Sequence, residues 1–483
     1  MPNETVGNFA RCGRGLVIGP AGCGKTYLIA EAVGNSAGRQ LVLTHTHAGV
    51  AALRAKLTAL GVPASKYRVT TIDSLCLCYS NAFPRLAQWA CTYPDTDEEW
   101  KRLRFAASRV FGCRAPLRVL QTSFDGVFVD EYQDCCGSQH AVISTLAQAL
   151  PCRIVGDPLQ AIHRKLHADD IVPWREVQAV FPIVGALHEP HRWQKTNPAL
   201  GAWLMDVRSR LERGLPVDFG NAFGTLKWIR WVDSKNQKGA CYKAFAQEGV
   251  VAICDWPDRC VAIAKDTRNH FTVLESVGCP DLLTAAEKIE DCTDVNRVAQ
   301  VVSFAKECMT GMSPVAAIFD RLRQGRTYRP LSPDKARLWT AMREVVDSNH
   351  MKAVLDLLLA IEGIANMHFY KRREMWREMR RALQGYDAGS GCTLRDTAWA
   401  NRDHARRTGR RIVSKRTVAT PLLIKGLEFN HALLLDAAQM KTAEELYVAL
   451  TRGSSSLAVF SAERTLKRAV PAWLAETSAT ESG

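Results

Sequence analysis

The stretch GLVIGPAGCGKTYLIAEAV, Gly15 to Val33, decides how this chain must fold. It opens with a continuous apolar run, the pattern of a strand covered on both faces. It then reads GPAGCGKT, which fits G-x-x-x-x-G-K-[ST], the phosphate-binding loop. A helix-like segment follows at once, and that strand–loop–helix context is what the motif requires. Gly19, Gly22 and Gly24 let the backbone bend until the N–H groups of Pro20's neighbours, Ala21, Cys23 and the rest of the loop face phosphate oxygens. The helix N-terminus adds partial positive charge. Lys25 is expected to reach the β- and γ-phosphates of a nucleotide, and the Thr26 hydroxyl to bind Mg²⁺.

Working outward, VFVDEYQDCC (127–136) ends an apolar run in two carboxylates. A buried strand finishes so only when the charge meets something positive. Asp130 is expected to hold the same Mg²⁺, and Glu131 to orient and deprotonate an attacking water. GLVIGP (15–20), QLVLTHT (40–46), GVFVDE (126–131) and CRIVGD (152–157) alternate with helix-like segments, which argues for an α/β fold with a parallel sheet. PIVGAL (182–187), CVAIAKD (260–266), ATPLLIKG (419–426), HALLLDA (431–437) and SLAVFSA (456–462) suggest a second such core. The expected organisation is a first core over 1–180 with a small insertion at 79–122. A second core would comprise 181–275 and 386–470, interrupted by a helical insertion at 276–385 and followed by a tail at 471–483.

The chain has 483 residues, enough for more than one domain, and a net charge of +14 that favours an acidic polymer as partner. MPNETVGNFARCGRG lacks the apolar segment of a signal peptide, and AVLDLLLAIEGIA (353–365) is broken by Asp356 and Glu362, so neither secretion nor membrane insertion is expected. A cytoplasmic protein is the default. The sixteen cysteines contain no C-x-x-C pair, which removes the zinc-ribbon and thioredoxin patterns. Cys76, Cys78, Cys91 and Cys113 cluster between motifs and could hold an iron–sulfur centre, but small buried hydrophobes are the preferred reading.

Taken together, the motifs resemble the UvrD-like branch of superfamily I helicases, with a compactness similar to the helicase subunit of Gabija-type anti-phage defence. VDEYQD looks like that branch's Walker B motif, LVLTHTHAGVAAL (41–53) like motif Ia, and VTTIDSL (69–75) like the next DNA-contact motif. IVGDPLQAIHR (154–164) resembles motif III, EPHRWQKTNPAL (189–200) motif IV, LIKGLEF (423–429) motif V and LYVALTRGSSSL (446–457) motif VI. The resemblance implies two RecA-like P-loop domains. It assigns Gln160 as γ-phosphate sensor, Arg192 as transition-state arginine, Arg452 as arginine finger and Glu428 as ribose ligand. It places single-stranded DNA against Thr46, His47, Thr71, His163 and Lys165. Where the family carries Tyr-x-Trp after motif III this chain has His163 and Lys165, and His191 replaces the aromatic residue before the motif IV arginine.

The activity so implied is ATP hydrolysis with Mg²⁺ on single-stranded or partly duplex DNA, driving translocation or unwinding, with 3′ to 5′ polarity. The alternative is a DNA-sensing regulatory subunit that works with a nuclease in trans; a kinase or an RNA helicase is a third reading. YKRREMWREMRR (370–381) and RDHARRTGRR (402–411) could contact phosphates, and the first could equally be a solvated helix face.

Overall fold

The computed structural model describes residues 2–474 apart from 91–93, 95, 163–164, 167–168, 221–223, 232, 245–246, 268–269, 275–279, 349, 388, 390, 399–400, 402–414 and 472. Packing divides the chain into two compact units. One comprises 1–231 and 425–483, the other 232–424. Two six-stranded sheets are present, and their strands run parallel with helices between them. The α/β fold expected of two RecA-like domains is the one observed.

In the first unit, strands β1 (Arg14–Ile18), β2 (Gln40–Thr44), β3 (Tyr67–Thr71), β4 (Gly126–Val129), β5 (Cys152–Gly156) and β6 (Ile183–Ala186) form one sheet. Their order is β3-β2-β4-β5-β1-β6. The near-continuous apolar character of these strands follows from their two covered faces. Leu16, Leu41, Leu43, Val127, Val129 and Ile154 point into one hydrophobic core. Their neighbours Val17, Val42, Phe128 and Val155 point into the other. Alternation of Cβ direction along each strand lets the same strands supply both cores. Full burial of a side chain such as Phe128 is worth about 1.5–3 kcal/mol, so each of these strands is held from both sides.

The segment between β3 and β4 is helical, with helices Ile72–Ala82, Asp97–Phe111 and Arg114–Ser123. Leu103, Ala107, Val110 and Leu120 join the first of the two cores. Helix Asp97–Phe111 begins with a capping box in which Thr96 and Glu99 satisfy each other's backbone N–H groups. Three further parallel strands of this unit are Leu226–Arg230, Gly453–Ser461 and Phe429–Leu434, paired in that order.

The second unit contributes the parallel strands Val250–Ile253, Arg416–Ala419 and Thr272–Val273. Its larger part is helical, from Pro280–Asp291 to Arg373–Gly385. Those helices enclose a separate apolar core in which Trp376 stacks on Phe304, with ring centroids 5.6 Å apart.

Three strand expectations are corrected. ATPLLIKG meets the strand Arg416–Ala419 only at Ala419, and Pro421–Ile424 within it is helical. PIVGAL pairs with β1 and completes the first sheet instead of starting the second. CVAIAKD lies in a helix, Pro257–Asp266, because Pro257 sets its first turn and Cys260, Ile263 and Ala264 are buried at helical spacing. Among the described residues no helix is long and apolar enough to cross a membrane.

Candidate nucleotide site

The carboxyl ends of β1, β4 and β5 carry the residues singled out from the sequence. Gly19 N–H donates to Gly156 O at 2.9 Å, which ties the loop after β1 to the end of β5. Lys25 opens the helix Lys25–Asn35, and its Nζ donates back to Gly19 O at 3.0 Å. A Cβ on Gly19 would lie 2.4 Å from Lys25 Cγ, so only glycine lets the lysine stem fold across the loop. Gly22 (φ 71°) and Gly24 (φ 89°) adopt left-handed backbone. A Cβ on Gly22 would also sit 2.5 Å from the Trp193 ring. The loop therefore has the bend that its glycines predicted, and Gly22 also packs closely on Trp193. Cys23 is buried beside it, and desolvation pushes its thiol up to about 11, which keeps it protonated and inert.

Asp130 follows β4, and its N–H donates to Leu43 O at 2.9 Å. Burial, then the neighbouring Glu131 charge, push its carboxyl well above the ordinary range; Lys25 and a hydrogen bond from Thr26 oppose the shift. For Glu131 burial also acts upward, but Lys25, Lys425, the Gln133 hydrogen bond and His45 outweigh it and hold its carboxyl below the ordinary range. Glu131 takes left-handed backbone at φ 54°, a conformation that costs a side chain about 1–2 kcal/mol and that tends to mark functional sites. These two carboxylates with the Thr26 hydroxyl fit a divalent cation bridged to phosphate, since Mg²⁺ needs only one or two carboxylates beside its substrate.

Arginines complete the charge pattern. Arg192 N–H donates to Gly22 O at 3.1 Å. Its Nη2 pairs with Glu428 at 2.6 Å and its Nη1 donates to Thr451 O at 2.7 Å, while its buried Nε has no hydrogen-bond partner among the described residues. Arg452 is 1% exposed. Burial and the nearby Arg192 charge press its pKa down to about 9, against the pull of Glu131, Glu428 and Tyr447. A guanidinium keeps its proton in proteins, so the direction records the burial of its charge; its Nε donates to Val448 O at 2.8 Å, its Nη1 to Leu427 O at 3.2 Å and its Nη2 to Thr451 Oγ1 at 2.9 Å. The orphaned Nε of the arginine tied to Gly22, with the buried charge of Arg452 close to it, fits an anionic ligand.

Further polar residues, not identified from the sequence, join the loop to the carboxylates. Gln133 Nε2 donates to Glu131, and Gln133 Oε1 accepts from Asp157 N–H at 2.9 Å. Asp157 in turn accepts from Gln160 Nε2 and from Arg208, each at 2.7 Å. Arg208 lies over the Tyr447 ring at 5.4 Å, and the Tyr447 hydroxyl accepts from Ala21 N–H in the loop at 3.2 Å. Lys425 pairs with Asp134. Asp157 had a legible signal, a carboxylate at the end of an apolar strand, as at Asp130. Arg208 had none, because it sits in an ordinary amphipathic helix, Pro198–Glu212.

The structure thus brings Gly19 to Thr26, Asp130, Glu131, Gln160, Arg192, Glu428 and Arg452 into one unit. The residues suggested for DNA are placed otherwise. Thr46 caps the helix His47–Ala59 by accepting from Gly49 N–H at 3.0 Å, and His47 is that helix's first residue. Thr71 is buried, caps the helix Ile72–Ala82 and donates to Ser74 Oγ at 2.7 Å. His163 and the side chain of Lys165 lie outside the described residues. Trp174 and Trp193 are buried packing residues. Cys76 is buried, Cys78 exposed and Cys113 half-buried, while Cys91 is outside the described residues; no group of three or more His, Cys, Asp or Glu that could hold a metal ion occurs among those described.

Residues 99–170 match the UvrD/REP helicase N-terminal domain, a stretch that includes β4, β5 and both carboxylates. No curated protein matches the chain. Among solved structures, the Arterivirus nonstructural protein 10 helicase is similar at 12% identity and a TM-score of 0.35, over 95% of this chain and 61% of that one. The complex of the Arterivirus nonstructural protein 10 helicase with DNA is similar at 15% identity and a TM-score of 0.28, over 53% of this chain and 50% of that one. The chain thus spans less than two thirds of either.

Proposed function

We propose that this protein is an ATP-hydrolysing nucleic-acid motor of the UvrD-like type. The observation that carries the reading is the convergence of three features. A loop that fits the phosphate-binding pattern, a buried carboxylate pair and two arginines, one with an unpartnered Nε, lie in one unit. The match of residues 99–170 to the UvrD/REP domain supports it.

In this reading Lys25 and the loop amides hold the phosphates. Thr26 and Asp130 would hold Mg²⁺, which would supply charge neutralisation at the phosphates. Glu131, held ionised beside Lys25 and Lys425, accepts the proton of the attacking water. Arg192 and Arg452 meet the negative charge that spreads over the transferring phosphoryl group, a role that can be worth 10³–10⁵ in rate. Gln160, fixed by Asp157, senses the γ-phosphate. Nucleic acid is the polymer partner, consistent with the +14 net charge.

The test is the ATPase rate with and without single-stranded DNA or RNA, beside a Lys25→Ala variant. Polymer stimulation that disappears in the variant is the expected result. Hydrolysis that ignores both nucleic acids would defeat the motor reading.

A further inference from the structure

The second unit carries an arginine-rich turn that the nucleotide site does not use. Residues 320–337, DRLRQGRTYRPLSPDKAR, hold six basic residues against two acidic ones. Helix Ser313–Arg323 ends here, with Gly325 at φ 66° and Arg326 N–H donating to Arg321 O at 3.0 Å. That closure fixes the backbone through Arg326. Tyr328 then packs on the helical core and against Trp339, with ring centroids 5.6 Å apart. The turn is pinned at both places, and the charges between and beyond the pins face solvent. Arg321, Arg326 and Arg329 are all exposed, and Leu331 is 89% exposed.

Several other arginines of this unit set the contrast. Arg372 pairs with Asp281 at 2.6 Å, Arg380 with Glu362 at 2.8 Å, Arg395 with Glu287 at 3.3 Å and Arg377 with Glu374 at 3.4 Å. In the turn, Arg323 pairs with Asp320 at 3.5 Å, while Arg321, Arg326 and Arg329 form no ion pair among the described residues. Arg377 and Arg380 of the basic helix Arg373–Gly385 are thus paired within their own unit and Arg373 lies over the Phe369 ring, whereas among the described residues of the turn only Arg323 is paired.

We propose that the turn 321–331 is a nucleic-acid docking element, with Arg321, Arg326 and Arg329 on backbone phosphates and Leu331 against an exposed base. The partner class rests on the motor reading; the site itself does not. A membrane surface is the poorer fit, because anionic lipid binding wants a broad apolar face behind the charge and the turn offers one leucine.

The test uses the full chain. Binding to fluorescent single-stranded DNA and RNA is measured over about 50 to 200 mM salt for the wild type and for the triple variant Arg321→Gln/Arg326→Gln/Arg329→Gln. Three lost phosphate contacts should reduce the slope of log K against log salt by about 2, and weaken binding about 100-fold near 0.1 M salt. Thermal unfolding and fluorescent-nucleotide binding should stay as in the wild type. A control variant, Arg377→Gln/Arg380→Gln/Arg395→Gln, should change the slope far less. An unchanged slope in the triple variant overturns the proposal while leaving the motor intact. A wild type that binds neither polymer defeats both. Loss of binding to phosphatidylserine vesicles with nucleic-acid binding retained would overturn it in favour of a membrane.

Discussion

Replacing Arg208 by methionine should damage the nucleotide site from within. The Arg208 and Asp157 side chains are 7% and 0% exposed and meet at 2.7 Å. An exposed ion pair is worth about 0–1 kcal/mol, but removing one partner of a buried pair costs about 3–5, because the other charge is left stranded. Asp157 would retain Gln160 Nε2 at 2.7 Å and Leu159 N–H at 3.2 Å, which places the expected loss near the lower end, about 3 kcal/mol. Equilibrium urea unfolding measures it. The double variant Arg208→Met/Asp157→Asn should recover part of the loss, with a coupling energy of about 1–3 kcal/mol in the cycle. ATPase should fall in the single variant as well, since Asp157 holds Gln160. A single-variant loss under about 1 kcal/mol, or additivity within about 0.5, would refute the claim that this pair is structurally committed.

Other expectations can be measured beside it. Asp130→Asn should make the nucleotide-free protein more stable at pH 8 and abolish hydrolysis. The carboxyl's folded pKa is raised, so the native wild type binds more protons than the unfolded chain, and the stability linked to Asp130 is lost as pH rises through that pKa. Thermal unfolding across pH 5 to about 8 reads the difference, and parallel profiles for the two proteins would contradict it. Gly22→Ala should destabilise the loop, by about 1–2 kcal/mol for the left-handed backbone alone, with a further clash against Trp193; nucleotide affinity should drop with it, as titration of a fluorescent analogue would report. Tyr447→Phe should orphan the Ala21 N–H at a cost of about 1–3 kcal/mol, seen as lower stability or as nucleotide affinity weakened several-fold.

Much of the fold was legible because the relevant signals are local. The runs at 15–20, 40–46, 126–131 and 152–157 announce β1, β2, β4 and β5 because strands covered on both faces must be apolar throughout. The strand Leu226–Arg230 was missed, since Lys227 and Arg230 interrupt its apolar character. CVAIAKD misled for the opposite reason: a short apolar run does not distinguish a strand from a buried helix face. At the site, the loop and the carboxylates carry their chemistry in consecutive residues and were readable. Arg208 meets Asp157 across 51 residues and Tyr447 meets Ala21 across 426, and no local pattern encodes such a partnership.

The division of the chain has a consequence for how the protein is made. The unit that holds the phosphate-binding loop is built from 1–231 and 425–483. Its opening segment leaves the ribosome long before Lys425, Tyr447 and Arg452 exist. A nascent chain would carry a loop whose Ala21 amide lacks its hydroxyl partner and whose Asp134 lacks its lysine. Nucleotide capture is then expected only once Lys425, Tyr447 and Arg452 have been made, so that translation itself times the birth of the site. Ribosome-bound chains stalled before residue 425 should fail to retain a photo-crosslinking ATP analogue that chains stalled well beyond Ser461 retain.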